Sequence, residues 1–353
     1  MKPMKNLLKK ATFTAIGLTF AASASADINV AYFLEWATPN QIAKVEKTYD
    51  EALGEKVNWV NFASGVAMTE AMLSGDIDIS FSQGMAPFVN AINANAPLKA
   101  VGIAVVYGAG GDCVVSNASG ITKDNASELE GQSVAVPLNT MSDFEFRMTM
   151  VNLGVDVSKI TVVDQEPADA AVSLTDGQVA MACGFGENSL SKMKEVGKPI
   201  FTLAEKTAAG IESYDIVSVS EKFAEENPEA LKTFMEVTSQ ANADFAKDQS
   251  KISVIASDAG MSVDKTKKQM AGFSFPSAEV QVNEYLSKDG KVATLLPFMG
   301  KMFATAAAPA KADYSAVIDA SFLGATPAVA ATLESLAERV MSLEAKVKTL
   351  ETK

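Results

Sequence analysis

The hydrophobic and polar positions of this chain change period in a regular order. Between Val57 and Phe62 the residues Val57, Trp59 and Phe62 are of strand type. Ser64 follows where a helix N-cap belongs, just before Val66, Met68, Met72 and Leu73. Ser74-Gly75 ends that helix, and Ile77, Ile79 and Phe81 alternate as a strand. Ser82-Gln83-Gly84 then turns into another helix. A Ser-Gly helix start at the carboxyl end of a strand presents free N–H groups and the positive end of a helix dipole, which together suit an anion. The device recurs later in the chain. A strand over 133–137 leads through Leu138, Asn139 and Thr140 into a helix that begins at Met141-Ser142 and stops at Gly154.

The same reading predicts strands at 28–33, 98–106, 112–116, 160–163, 179–185, 199–203 and 215–219, with helices between them. The alternation falls into two comparable blocks and predicts an α/β chain of two lobes with open, parallel-type sheets. Ligands of such sheets sit outside the carboxyl ends of the strands. The residues expected there are Glu35, Trp36, Ser64, Gly65, Ser82, Gln83, Gly84, Asn139, Thr140, Met141, Ser142, Glu187, Tyr214 and Asp215.

The two ends of the chain read differently. Lys2, Lys5, Lys9 and Lys10 precede an apolar run over 11–22, and Ala24-Ser25-Ala26 fits a small-residue cleavage site. Residues 1–26 are therefore expected to be a signal peptide cut after Ala26, which places the mature protein in the periplasm. The alternative is an uncleaved anchor helix, but the run is short for a bilayer and no other stretch approaches the required length. The expected organisation is 27–111 for the first part of lobe 1 and 112–216 for lobe 2. A second, mainly helical part of lobe 1 follows over 217–323, and a linker with a tail over 324–353. In the tail, Val329, Leu333, Leu336, Val340, Leu343, Val347 and Leu350 alternate spacings of four and three. That is a heptad seam, with Arg339, Glu344, Lys346 and Glu351 placed to pair between parallel chains. The plain alternative is an amphipathic helix packed on its own domain.

Composition narrows the chemistry. The chain has 30 basic and 43 acidic residues, a formal net charge of −13. Such a surface disfavours nucleic acid and anionic lipid, so an anion must be held by backbone dipoles and hydroxyls. There is no histidine. That removes Ser-His-Asp and Cys-His catalysis and the commonest metal ligand, and no metal or cofactor is expected. The two cysteines, Cys113 and Cys183, suggest one disulfide in an exported chain; two buried thiols are the alternative.

Several stretches together resemble the periplasmic substrate-binding proteins of ABC importers, in the taurine and alkanesulfonate branch. They are INVAYF, WVNFASGVAMTEAMLSGDIDIS, ELEGQSVAVPLNTMSDF, VVDQEPADAAVSLTD and SYDIVSVSEKFAEENPEALKTF. The Ser-Gly-helix-Ser-Gly-Asp-strand unit is shared with binders of nitrate, thiamine precursors and aromatic sulfonates. The resemblance implies the two-lobed type II binding-protein fold, a clamshell joined by two hinge strands, with no catalysis and an ABC permease as partner. It implies that Ser64, Gly65 and the turn Asn139 to Ser142 hold a sulfonate and that Asp215 holds an amine. Where taurine binders often carry Trp-Ala-Pro, this chain has Phe185-Gly186-Glu187. Its Glu35-Trp36 loop is also longer and more acidic than usual. The expected ligand is a small zwitterion of the taurine type, with Asp215, Glu187 and Glu35 as acceptors for the ammonium and Trp36, Phe185 and Tyr214 as walls. Other small anions or zwitterions (an amino-phosphonate, nitrate, a thiamine precursor) are the alternative. An enzyme on the same fold is disfavoured, because the thiamine-precursor synthases use a cysteine-rich segment and histidine. Met68, Met72 and Trp59 are expected in the core, and Arg147 is expected to pair with Asp143 four residues earlier.

The tail carries a separate expectation. The run Arg339-Val340-Met341-Ser342-Leu343-Glu344 resembles the Arg-h-x-x-h-Glu pattern of short trimeric coiled coils. Light scattering should therefore give a trimer for the mature protein, weakening on dilution, and a monomer for a version ending at Ala328. Monomers in both would reduce the heptads to a packed helix.

Overall fold

The structure, a computed structural model, describes residues 27–108, 111–211 and 213–324. The signal peptide and the heptad tail read from the sequence lie outside these residues. Eleven strands are described: β1 Ile28–Phe33, β2 Val57–Phe62, β3 Ile79–Gly84, β4 Leu98–Tyr107, β5 Gly111–Ser116, β6 Ser133–Val136, β7 Thr161–Asp164, β8 Met181–Phe185, β9 Gly197–Pro199, β10 Ser213–Ser220 and β11 Phe273–Ser274. They form two sheets. The first runs β11-β4-β10-β3-β1-β2 and the second β7-β6-β8-β5-β9.

Both sheets are mixed, which corrects the expectation of parallel-type sheets. β1 pairs in parallel with β2 and β3, but β10 lies antiparallel between β3 and β4. In the second sheet β6 pairs in parallel with β7 and β8, whereas β5 is antiparallel to both β8 and β9. The cause is the crossing between lobes. The parallel strands of each lobe end at the cleft. A strand arriving from the other lobe enters at that same edge, so β5 and β10 run against their neighbours. The predicted strand over 199–203 also differs. The strand there is Gly197–Pro199, and Thr202, with Glu205, forms a capping box that starts the helix Leu203–Ala208.

Helix positions follow the local signals. Ser64 caps the helix Gly65–Ser74, and Gly75 closes it in the left-handed region at φ 85°. Thr140 caps the helix Met141–Leu153, and Gly154 ends it. The first lobe is built on one large core that includes Val30, Ile79, Phe88, Ile103, Tyr214, Val217 and Phe234. The second packs one face of its sheet on Val134, Phe146, Met150 and Met181 and the other on Ala170, Leu174, Leu190 and Met193. Beyond β10 the chain is helical and returns to the first lobe, where Ile318 bridges to Ala100 of β4. Among the described residues no helix is long and apolar enough to cross a membrane.

Cys113 of β5 and Cys183 of β8 are directly opposite partners in the antiparallel pair and form a disulfide closing a separation of 70 residues. The bond staples the entering strand to the middle of the second sheet. Replacing both cysteines with alanine should cost about 2–4 kcal/mol of stability, read by urea unfolding. A loss below about 0.5 kcal/mol would show that the strand pairing alone holds this position.

Candidate ligand-binding site between the lobes

The carboxyl ends of the strands in both lobes meet at one small cavity of about 40 Å³. Its lining is mostly apolar. Phe33, Trp36, Gly65, Gly84, Pro87, Tyr107, Ser213 and Asp215 come from the first lobe. Gly111, Thr140, Met141, Ser142, Glu145 and Phe185 come from the second. Among the described residues, two carboxyl groups line the cavity and no lysine or arginine does.

Asp215 sits on β10 and is buried, at 3% exposure. Its position depends on a bulge. Ile216 faces Gln83 while Val217 faces Phe81, so Ser82 is the extra residue of β3. Ser82 takes φ +70°, a strained backbone for serine. The kink aims its hydroxyl into a relay: Trp36 Nε1 donates to Ser82 Oγ at 2.8 Å, and Ser82 Oγ donates to Asp215 Oδ2 at 3.0 Å. On the other side the Tyr107 hydroxyl donates to Asp215 Oδ1 at 2.8 Å. Among the described residues, no cation pairs with this carboxylate. Burial pushes its pKa up to about 7, against the lowering by the Tyr107 and Ser82 bonds. The same burial, with Asp215 alongside, raises the Tyr107 hydroxyl well above its ordinary value.

Glu145 is the second acid, and its situation is different. The Lys206 ammonium lies 2.6 Å from Glu145 Oε1 and 2.5 Å from Asp112 Oδ1, and donates to the Gly111 carbonyl at 2.6 Å. The Lys206–Glu145 contact is a close ion pair. Lys194 neutralises the other oxygen of Asp112 at 2.5 Å. Burial raises the Glu145 pKa although Lys206 opposes it; burial would lower Lys206, but Glu145 and Asp112 outweigh it and leave it raised. Lys206 is held charged, and Glu145 is compensated where Asp215 is not.

The expected site residues divide. Trp36, Gly65, Thr140, Met141, Ser142 and Asp215 line the cavity. Thr140 caps its helix by accepting from Ser142 N at 3.2 Å and donates to the Pro137 carbonyl at 2.6 Å. Ser82 stands behind Asp215. Gln83 is buried in the first lobe, bonded to Thr69 and Ser218. Tyr214 precedes Asp215 on the strand and so turns to the opposite face, against Tyr285.

Four others bridge the lobes. Glu35 accepts from Asn188 N at 3.1 Å and from Asn188 Nδ2 at 2.8 Å. Gly186 makes that approach feasible: an added Cβ would lie 3.2 Å from Glu35 Oε2, at φ +83°. Glu187 pairs with Lys268 at 2.9 Å. Asn139, at φ +62°, accepts from Asn90 Nδ2 at 3.3 Å. The Ser64 hydroxyl faces Glu166 across the cleft and favours its charged form, but burial outweighs that influence and raises the Glu166 pKa. Arg147 pairs with Asp143 at 2.7 Å, as its spacing predicts.

Gly84, expected at a strand end, also lines the cavity; Phe33, Pro87, Tyr107, Gly111, Glu145 and Ser213 were not among the expected residues. Glu145 carried a signal, since it lies three residues after Ser142 on one helix face. Tyr107 carried none, because only the register that pairs it with Ser213 brings it beside Asp215. Gly84 lets the lobes approach: a Cβ there would meet Met141 Cγ at 2.9 Å.

With this geometry described, comparison with known proteins adds the lineage. The family model described as NMT1/THI5 like matches residues 42–252. The chain is 24% identical over 217 residues to the taurine-binding periplasmic protein of Escherichia coli strain K12, covering 62% of this chain and 65% of that protein. The chain thus spans just under two thirds of that relative. Among solved structures, the periplasmic aliphatic sulphonate binding protein SsuA of Escherichia coli superposes with a TM-score of 0.60 at 19% identity, over 79% of this chain and 92% of that one. The alkanesulfonate-binding protein SsuA of Xanthomonas axonopodis pv. citri, bound to MOPS, gives 0.59 at 18% identity, over 79% and 92%. These likenesses show the fold, a two-lobed α/β periplasmic binding protein.

The uncompensated acid has a measurable consequence. Asp215 has its folded pKa raised, so its contribution to stability is full below about pH 4 and is lost as the pH rises to about 7. Asp215→Asn removes that loss. In urea unfolding of the ligand-free protein its stabilising effect should be larger at pH 8 than at pH 5, by roughly 2 kcal/mol. An effect independent of pH would mean that Asp215 is compensated.

Proposed function

The chain belongs to the NMT1/THI5-like family, and on that premise we propose that it is a periplasmic receptor that delivers taurine, or a close small aminosulfonate, to an ABC importer. One observation carries the reading. A single cavity between the lobes offers a buried, uncompensated carboxylate at Asp215 and, from the other lobe, the start of the helix Met141–Leu153 with the hydroxyls of Thr140 and Ser142. An ammonium answers the first and a sulfonate the second. The sulfonate accepts N–H and O–H donors without exchanging a proton. Gly65 and Ser213 border the same space.

A bare anion such as nitrate leaves Asp215 buried and unpaired, so it is the poorer ligand. The protein binds and performs no chemistry. Closure of the lobes around the ligand is supported by the polar contacts of Glu35, Ser64, Asn139 and Glu187 across the cleft, and the closed form is what a permease receives.

Calorimetry against small zwitterions tests this. Asp215→Ala should weaken taurine binding by at least about 2 kcal/mol, the scale for stripping one partner from a buried charge pair. In the unaltered protein, affinity should fall as the pH drops below about 7, because the proton competes with the ammonium for Asp215. Taurine affinity that survives Asp215→Ala in a folded protein would remove the amine assignment.

A further inference from the structure

Resting on that reading, we infer that the cationic end of the ligand is an N-methylated ammonium seated among Phe33, Trp36, Tyr107 and Phe185 against Asp215. Four aromatic side chains line one small cavity, together with Pro87 and Met141. Trp36 and Tyr107 stand at right angles, with ring centroids 4.9 Å apart and an interplanar angle of 88°. Both rings are tied to Asp215, Tyr107 directly and Trp36 through Ser82. Phe33 ends β1 of the first lobe and Phe185 ends β8 of the second; their centroids are 6.1 Å apart, so this pair joins the two lobes at the cavity wall.

A primary ammonium brings three N–H donors into the cavity, and each buried donor without an acceptor is costly. Among the described residues, the side-chain acceptors beside Asp215 are limited and one-sided, and the Glu145 carboxylate across the cavity is engaged by Lys206. Each carboxylate oxygen already takes one bond, and Ser82 Oγ both accepts and donates. Ser82, Tyr107 and Ser213 all belong to the first sheet, while rings close other directions. A methylated ammonium keeps the charge that Asp215 requires and replaces N–H donors with polarised methyl groups. Aromatic faces attract such groups through the ring quadrupole. A chain so acidic offers many sites for a primary amine at its surface; this enclosure selects for a cation with an apolar skin.

The test is calorimetry with four ligands that share the sulfonate: taurine, N-methyltaurine, N,N-dimethyltaurine and N,N,N-trimethyltaurine. Affinity should rise along the series, by at least tenfold overall, which is about 1.4 kcal/mol. Taurine binding as tightly as the methylated compounds overturns the inference and leaves the receptor reading standing. Binding by none of the four overturns both. The neutral isostere 3,3-dimethylbutane-1-sulfonate separates charge from bulk: it should bind at least tenfold more weakly than the trimethyl compound, and equal affinity would show that the cage sorts by shape alone. In Phe185→Leu, which keeps an apolar wall, the trimethyl-to-taurine preference should shrink about fivefold; an unchanged preference would remove the aromatic wall from the mechanism.

Discussion

A carboxyl group buried without a counter-charge is the constraint around which this molecule is arranged. Asp215 lies in the middle of the first sheet, at 3% exposure, and its partners among the described residues are the hydroxyls of Tyr107 and Ser82. Two neutral donors do not offset the loss of hydration, and the pKa rises to about 7. The fold tolerates this because the rest of the first lobe is a large continuous apolar core. A cationic ligand relieves the same strain, so the instability of the empty site becomes part of the binding free energy. Removing the charge would stabilise the protein and disable it, a trade familiar where function needs a strained group.

The strain extends into the backbone. Five non-glycine residues among those described have positive φ, and Glu35, Ser82 and Asn139 are three of them. All three sit at the cleft edge of a sheet. Ser82 is the bulge that aims a hydroxyl at Asp215. Glu35 and Asn139 reach across to Asn188 and Asn90 in the opposite lobe. Local geometry that would be costly elsewhere is placed where it turns side chains toward the ligand space or toward the other lobe.

How much of this was legible in the sequence depended on the range of the interaction. The Ser64 and Thr140 caps, the Gly75 and Gly154 stops and the strands between them are signals of a few residues, and they recur in the structure. Asp215 stood out because an acid amid Tyr214, Ile216 and Val217 needs a reason. The parallel-type sheets failed on a matter of direction, since periodicity does not record which edge a strand enters. Tyr214 failed as a cavity wall because the alternation that points Asp215 inward points its neighbour away. Tyr107 and Phe33 were invisible for a further reason. Each becomes part of the cavity only through sheet register and lobe closure, and nothing within ten residues of either announces it. Glu35 and Glu187 were read as acids for an ammonium from their places at strand ends and their departure from the resembled family's pattern; in the structure their oxygens engage Asn188 and Lys268.

Two acids in one cavity would ordinarily argue for a dication, and the contrast between them shows why that argument is wrong here. Glu145 is held against Lys206, and Lys206 against Asp112, whose second oxygen takes Lys194. Two carboxylates and two ammonium groups cancel within the second lobe, so this side presents hydroxyls and N–H groups with little net field. In the proposed function, that neutrality is what would let an anionic group approach Thr140 and Ser142 despite a carboxylate three residues along the same helix. Asp215 has no such partner. The cavity therefore carries one uncompensated negative charge, on the first lobe, and a donor-rich neutral surface on the second. A ligand with one positive end and one negative end matches both halves, and it must touch both lobes to do so. Under the proposed aminosulfonate function, charge recognition and lobe closure would become one event, driven by a ligand whose two ends are satisfied only when the cleft is shut.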